Sequence, residues 1–570
     1  MIIAILVFGL AMTQSRFATP VVNKILDWWG PANSSVSSAH LDFPQLNRLV
    51  SEQISAPGKV EAQHAEFLID PFGFLPGVVW VSTLQANDGR LTLDTSSESS
   101  GFKISGVIDG FDLSNITVIL ARNDNKELLV STARGSLSDG SLMVDATGGG
   151  VTLTFDGDTG VSGLTDLAGN LTATGDNLAD FASVFGIAAP DTPPFDLAMH
   201  LVRDNRVWTL SDIGGDVGDS DLEGTVSIDF EPETPYVTAD LSSRMLDFDD
   251  LGIIFGVPVG VGSDETTNAE QREARAAFDA DARLIPNVEI DFARLDAVDG
   301  IATYSADQVV DSPLALTGLT LDVEINGRVV KFTEARLAMT AGELVTYATI
   351  DGSQSPAHTD IKGTVEGVDF ASLSLGAFAK GHSNGKFELT TDGDGFRDAA
   401  ATADGVLSLW STDAQLRAYF VEAAGLDIGE ITALLMDGNE DGPNPSFTPA
   451  KCFVARMDFS DGVGTFAPAV IDTEDSLIVL DGQVDMETEG LDFFVRVDAK
   501  DASWGQLIGD LHVGGTLRAP SVAIPGGEIV LQTGFAALLA GISGPLAALP
   551  FIEPGDGPDV ACGGLIQNAQ

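Results

Sequence analysis

Short runs in which every second residue is apolar recur along most of this chain. Leu91 and Leu93 alternate with polar residues, and Phe102, Ile104 and Ile108 continue the pattern with Gly106 in register. Val151, Leu153 and Phe155 form the next run, followed by Val226, Ile228 and Phe230. Leu319, Leu321, Val323 and Ile325 form another. Near the end come Ile478, Leu480, Val484 and Met486, then Leu491, Phe493, Val495 and Val497. The alternate positions carry Thr, Ser, Asp, Glu, Lys and Arg. Successive side chains of a strand point to opposite faces, so this period predicts strands with one apolar and one polar face. Six pairs, Asp88-Gly89, Asp109-Gly110, Asp139-Gly140, Asn326-Gly327, Asp461-Gly462 and Asp481-Gly482, predict tight turns, because Gly and Asx residues tolerate positive φ.

A longer, looser repeat overlies the alternation. An extended run, an Asp-rich turn and an apolar stretch near Leu/Phe-Gly recur from Thr165-Asp166-Leu167 to Phe185-Gly186, and from Thr238-Ala239-Asp240 to Leu251-Gly252. The same order returns from Thr359-Asp360-Ile361 to Leu375-Gly376, and from Gly405-Val406-Leu407 to Gly425-Leu426-Asp427. This predicts stacked units, each of strands followed by a brief helix or crossover. Val21 to Trp29 reads as a short helix ending at Gly30-Pro31. Glu265 to Arg283 is polar and helix-prone until Pro286 resets the chain, which marks an insert or hinge. Ile529 to Ile552 is almost wholly apolar with Gly541, Gly544 and Pro545 inside, and reads as a kinked helix capping the sheet end.

A chain of 570 residues exceeds one ordinary core and splits into domains or repeats. Its net charge of −55, from 29 Lys+Arg against 84 Asp+Glu, speaks against nucleic acid and against electrostatic docking on anionic lipid heads. That acidity does not imply disorder, because 44% of residues are hydrophobic and the mean hydropathy is +0.17. The two cysteines, Cys452 and Cys562, read as buried thiols in a reducing compartment, or as one disulfide in an oxidising one. The apolar run Met1 to Met12 spans only ~18 Å as a helix and has no basic residue before it, so it reads as part of a membrane anchor.

Sequence chemistry offers no active site. The six histidines are scattered without a close pair, and neither a Gly-x-Ser-x-Gly elbow nor a phosphate loop occurs. Asp437 to Gly442 resembles half a calcium loop, but the closing position is Thr448, which favours an acidic loop. No enzyme, cofactor or metal is expected. The apolar face itself needs a cover. A second sheet would make a stack of sandwiches, whereas a bound apolar ligand would leave a curled half-pipe, and the pattern alone admits both.

The order of several motifs resembles the AsmA family. They are Thr192-Pro193-Pro194-Phe195-Asp196-Leu197, Val207-Trp208-Thr209-Leu210, Gly218 to Gly224, and Leu246-Asp247-Phe248-Asp249-Asp250-Leu251. Cys452-Phe453-Val454, Asp472 to Ser476, Gly514 to Val522 and the late Cys562 follow in the same sense. The resemblance covers nearly the whole chain and departs from the family at the start, where a full anchor is not seen. It implies a mostly β fold: an elongated, curled antiparallel repeat sheet forming an apolar groove, with short capping helices at both ends. Strands of ~6–8 residues would give walls ~20–26 Å long, enough to curl around acyl chains. The expected layout is a partial anchor over 1–20, β-groove regions over 21–262 and 286–527 around an insert at 263–285, and an apolar capping helix and tail over 528–570.

The groove lining would comprise the runs given above: Phe102, Ile104, Val151, Leu153, Phe155, Val226, Ile228, Phe230, Leu319, Leu321, Val323, Ile325, Ile478, Leu480, Val484, Leu491, Phe493, Val495 and Val497. The partners implied are phospholipid or another acyl lipid, the inner membrane at the N-terminus, and an outer-membrane contact at the C-terminus, with the bulk in the periplasm. A scaffold for outer-membrane protein assembly is the alternative role, and a secreted adhesin-like repeat a more distant one.

Overall fold

The computed structural model describes residues 10–29, 33–44, 47–56, 60–69, 81–93, 108–120, 126–136, 140–160, 163–251, 265–287, 290–312, 314–373, 379–417, 447–474, 476–500, 503–504, 510–524, 527–530, 552–553 and 560–569. The chain divides into two compact units. The first holds Met1–Ser242 with Asp264–Asn268 and Ala297–Gly300; the second holds the remainder.

In the first unit, each strand pairs with the next in the chain. The ladder runs through Ser35–Leu41, Arg48–Ala56, Val60–Ile69, Val81–Leu93, Ile108–Leu120, Lys126–Ser136 and Ser141–Gly148. It continues through Val151–Gly160, Gly163–Gly175, Phe195–Asp204, Val207–Val217, Ser220–Asp229 and Tyr236–Ser243. These pairings are antiparallel except that of Val81–Leu93 with Ile108–Leu120, which is parallel. The helix Ser15–Trp29 begins earlier than the sequence predicts and carries Pro20 inside it. It docks on the first strand by side-chain hydrogen bonds. The Asn23 amide donates to Val36 O (3.0 Å) and accepts from Val36 N (2.8 Å), while Thr19 accepts from Ala39 N (2.9 Å). Those bonds satisfy backbone groups that an edge strand otherwise leaves open.

The second unit builds a similar antiparallel ladder from Leu316–Asn326, Val329–Met339, Glu343–Asp351, His358–Asp369, His382–Asp392 and Asp404–Ser411. Phe447–Ser460, Val463–Thr473, Ser476–Asp485, Gly490–Ala499, Leu511–Gly515, Pro520–Ile524 and Gly527–Val530 extend it. The polar insert carries a helix over Ala269–Ala280. The apolar stretch 529–552 lies mostly outside the described residues. Its described ends are strand, in Gly527–Val530 and in Ile552–Glu553, so a helix does not fill the whole interval. The described helix of the tail is Cys562–Ala569. No helix among the described residues is long and apolar enough to cross a membrane.

The turn predictions divide. Asn326-Gly327 joins two paired strands with Gly327 at φ +58°, and at Asp461-Gly462 both residues have positive φ. Gly140, at φ +81°, lies just before the strand it introduces. Asp88-Gly89, Asp109-Gly110 and Asp481-Gly482 instead fall inside strands. There the glycine serves close backbone approach: a Cβ on Gly482 would come 2.4 Å from Asp492 O, and one on Gly89 2.9 Å from Glu61 O. Turn propensity and tolerance of a tight neighbour draw on the same missing side chain, so sequence alone does not separate them.

Candidate functional site: an apolar face continuous across strands

Residues directly opposite one another in a ladder share a face. In the second unit this joins the separate apolar runs into rows that cross the strands. One row passes Leu319, Leu337, Leu344 and Val365, then Gly385, Leu409, Ala455 and Ala469, then Leu480, Val495 and Leu511. A neighbouring row passes Val323, Phe332, Ala348, Ile361, Leu389, Gly405 and Phe459, then Gly464, Val484 and Leu491. Glycines in the rows make room for large neighbours. A Cβ on Gly385 would lie 3.1 Å from Leu409 Cδ1, and one on Gly464 2.5 Å from Met457 Sδ.

Burial along these strands is graded. Leu319 is 3% exposed and belongs to a cluster with Leu246, Val309, Leu316, Met339 and Val368. Further along the same strand, Leu321, Val323 and Ile325 are half-buried, alternating with exposed Thr320, Asp322, Glu324 and Asn326. Ile478 and Val484 are buried, whereas Leu480, Leu491, Phe493, Val495 and Val497 are half-buried. Among the described residues the strands of this unit form one long ladder, with no second large sheet.

In the first unit the expected lining sits deeper. Val151 and Phe155 are buried and Leu153 half-buried, in a core with Leu171, Leu197 and Met199. The helix Leu178–Val184 covers this core through Phe181, whose ring meets Phe185 edge-on at 5.3 Å and Phe195 at 6.0 Å. Val226 is half-buried, and Ile228 and Phe230 are buried. Phe102 and Ile104 lie outside the described residues.

A covering device recurs that the alternation did not disclose. The segments Asn177-Leu178-Ala179-Asp180-Phe181, Asp247-Phe248-Asp249-Asp250-Leu251, Asp291-Phe292-Ala293-Arg294-Leu295 and Asp369-Phe370-Ala371-Ser372-Leu373 share one form. In each, the Asn or Asp side chain accepts from the backbone N–H two residues on, at 3.0, 3.3, 3.1 and 3.0 Å respectively. That bond caps a short helical turn and fixes the apolar residue after it. Phe248 packs on the cluster around Leu319, and Phe370, 2% exposed, anchors one that contains Ile478. Three of the four read Asp-Phe-x-x-Leu, and the fourth exchanges the order of its apolar residues as Asn177-Leu178-x-x-Phe181.

The opposite face is largely polar and interleaved with charge pairs, apart from an apolar patch of Trp410, Val454, Val470 and Val479. Arg336 bridges Glu334 and Glu343, with Nη1 2.6 Å from Glu343. His358 meets Asp392 at 2.7 Å and His382 meets Asp413 at 2.8 Å; these carboxylates hold both imidazoles above their ordinary pKa. Cys452 and Cys562 form a disulfide with Cα atoms 5.9 Å apart. Beside it lies a buried ion pair, Lys500 with Asp472, and Lys500 Nζ also donates to Thr473 O at 2.8 Å. The bridge fastens the terminal helix to the strand Phe447–Ser460.

Ladders with one continuous apolar face, capped by short Asx-initiated turns, define a repetitive β-protein whose characteristic feature is an extended surface and not a compact pocket. The AsmA family profile matches residues 164–468, from the strand after Val151–Gly160 into Val463–Thr473, and the chain belongs to the AsmA family. It is similar to the AsmA family protein YhjG of Escherichia coli (strain K12), with 24% identity over 541 residues that cover 91% of this chain and 75% of that one. At the level of the family, membership supports a membrane-associated role connected with the outer membrane and its lipids.

Proposed function

We propose that this chain carries phospholipid, or another acyl lipid, along its apolar sheet face in support of outer-membrane biogenesis, without catalysing a reaction. The observation that carries this reading is the set of cross-strand rows in the second unit, where Leu321, Val323, Ile325, Leu480, Val495 and their neighbours stay half-buried. Each acyl CH₂ moved out of water against such a face gains ~0.8 kcal/mol, so two tails laid along a row recover most of the cost of leaving a bilayer. Rows without ionisable side chains suit cargo that slides, because no position binds more specifically than the next. The apolar stretch Met1 to Met12 and the disulfide fit an inner-membrane anchor with the bulk in the oxidising periplasm.

The test is substitution on the face combined with lipid analysis. Val323→Asp and Val495→Asp should remove copurifying phospholipid from the detergent-extracted full chain, and should abolish complementation of an envelope defect, while strand content by circular dichroism persists. Native mass spectrometry of the unmodified protein that shows protein partners and no lipid would favour the assembly-scaffold role instead. Full activity of both aspartate variants would end the lipid reading.

A further inference from the structure

The polar insert, taken together with the segment that follows it to Asp296, does more than join two parts of the chain. Residues 278–287 and 290–296 run along one edge of the second unit and touch its hairpin turns in succession. Asp296 pairs with Arg328, at the turn after Leu316–Asn326, with Arg328 Nε donating at 2.8 Å. Phe292 fills the space that a Cβ on Gly352 would need, at the turn after Glu343–Asp351. Ile290 N donates to Asp394 O (2.7 Å), and Arg397 in the same connection donates to Asp281 (2.8 Å) and to Ile285 O (2.7 Å). Glu489, between Ser476–Asp485 and Gly490–Ala499, accepts from the backbone N–H of Leu284 (2.5 Å) and of Ile285 (2.8 Å). Arg518, in the last of these turns, donates to the carbonyls of Phe278 and Arg283 at 3.0 Å each.

Glu489 is the most telling anchor. Its side chain is fully buried, and its backbone sits at φ +56°, a conformation that non-glycine residues rarely adopt. A buried carboxylate costs heavily unless it is hydrogen-bonded, and here both oxygens are engaged by the insert. The two edges of the face therefore differ in kind. One is sealed by core packing, through Phe248, Phe370 and the clusters they join. The other is fastened mainly by charge-assisted hydrogen bonds; among the described residues of the fastening segment, 278–296, only Phe292 is buried and Leu284 is 48% exposed, so parting it uncovers one large apolar side chain and not a whole core cluster.

We propose that this insert is a detachable strap. Fastened, it fixes the spacing of the hairpin turns and retains an acyl chain on the half-buried face; released, it lets those turns spread so that the chain enters or leaves sideways. This rests on the lipid reading above.

The experiment uses the full chain in detergent or vesicles, with fluorescent phosphatidylethanolamine as probe. Three variants loosen different anchors: Glu489→Gln, Arg518→Ala and the exposed-pair variant Asp296→Asn. Hydrogen exchange at the Leu284 and Ile285 amides reports release directly, and transfer of the probe to acceptor vesicles reports its consequence. Loss of an anchor should deprotect those amides and speed probe transfer by about tenfold, the effect of roughly one strong hydrogen bond. Asp296→Asn, which leaves no group buried, keeps the test valid if Glu489→Gln misfolds. Deprotected amides with unchanged transfer, or amides that stay protected in all three variants, would overturn the strap. A wild-type protein that takes up no probe at all would overturn the lipid reading instead, and amide exchange alone would then decide whether the insert detaches.

Discussion

The core beneath the helix Leu178–Val184 and the row Leu321–Ile325 are written in the same alternating code, yet they become different surfaces. In the first, Val151, Phe155, Leu171 and Leu197 are closed over by Phe181 and its aromatic neighbours. In the second, the apolar side chains keep part of their surface accessible, although Leu321 still packs on the cluster around Leu319. The strand code specifies which face is apolar. What lies over that face is specified elsewhere in the chain, by capped turns such as Asn177–Phe181 over the first core and Asp247–Leu251 over only the near end of the strand Leu316–Asn326.

The sharpest test of that difference is truncation. Phe155→Ala should destabilise the first unit by ~3–5 kcal/mol, because it leaves a cavity in a covered core. Ile325→Ala should cost the second unit only ~1 kcal/mol, since its half-exposed side chain has less burial to lose. Urea unfolding followed by unit-resolved hydrogen exchange reads both, and equal losses would show that the two faces are equally packed. A smaller effect is expected from the cap. Asn177→Ala should cost about 1 kcal/mol and loosen the helix over Phe155. It should deprotect amides of the strands Val151–Gly160 and Gly163–Gly175 while leaving Leu316–Asn326 unchanged.

The smallest effect concerns pH. The Asp392 carboxylate holds His358 above the ordinary imidazole value, Asp413 does the same for His382, and Glu66 with Glu52 does so for His64. Because the folded state favours the protonated rings, their contribution is complete below the unfolded value of ~6.5 and is lost as pH rises through the raised folded values. The urea midpoint should therefore fall slightly from pH 5.5 to pH 8.5. His358→Gln with His382→Gln should flatten that slope for the second unit and leave the steep cost of Phe155→Ala untouched.

Much of the sheet was legible in the sequence because strand alternation is a local property. Leu319 to Ile325 and Leu491 to Val497 fall in strands with the predicted parity. Asn326-Gly327 was readable as a turn for the same reason. What could not be read was pairing. Nothing local in Leu480 announces that it faces Val495 on one side and Ala469 on the other, although those registers make the rows continuous. Nor does Glu489 stand out among 84 acidic residues, since its role depends on backbone N–H groups some two hundred positions away. Asp88-Gly89 reads as a turn but lies inside a strand, because a glycine that admits a neighbouring strand has the same signature as one that reverses the chain.

The pairing order of the first unit has a consequence for biosynthesis. Most of its strands bond to the hairpin partner that immediately precedes them, so a growing sheet edge can receive each new strand as the polypeptide emerges, with little loop entropy to overcome. The parallel pairing of Val81–Leu93 with Ile108–Leu120 interrupts that zippering, because its second strand must start again from the end where the first began. At that step the nascent sheet would carry a bare edge until the strand Ile108–Leu120 arrived, which makes this junction its most aggregation-prone point.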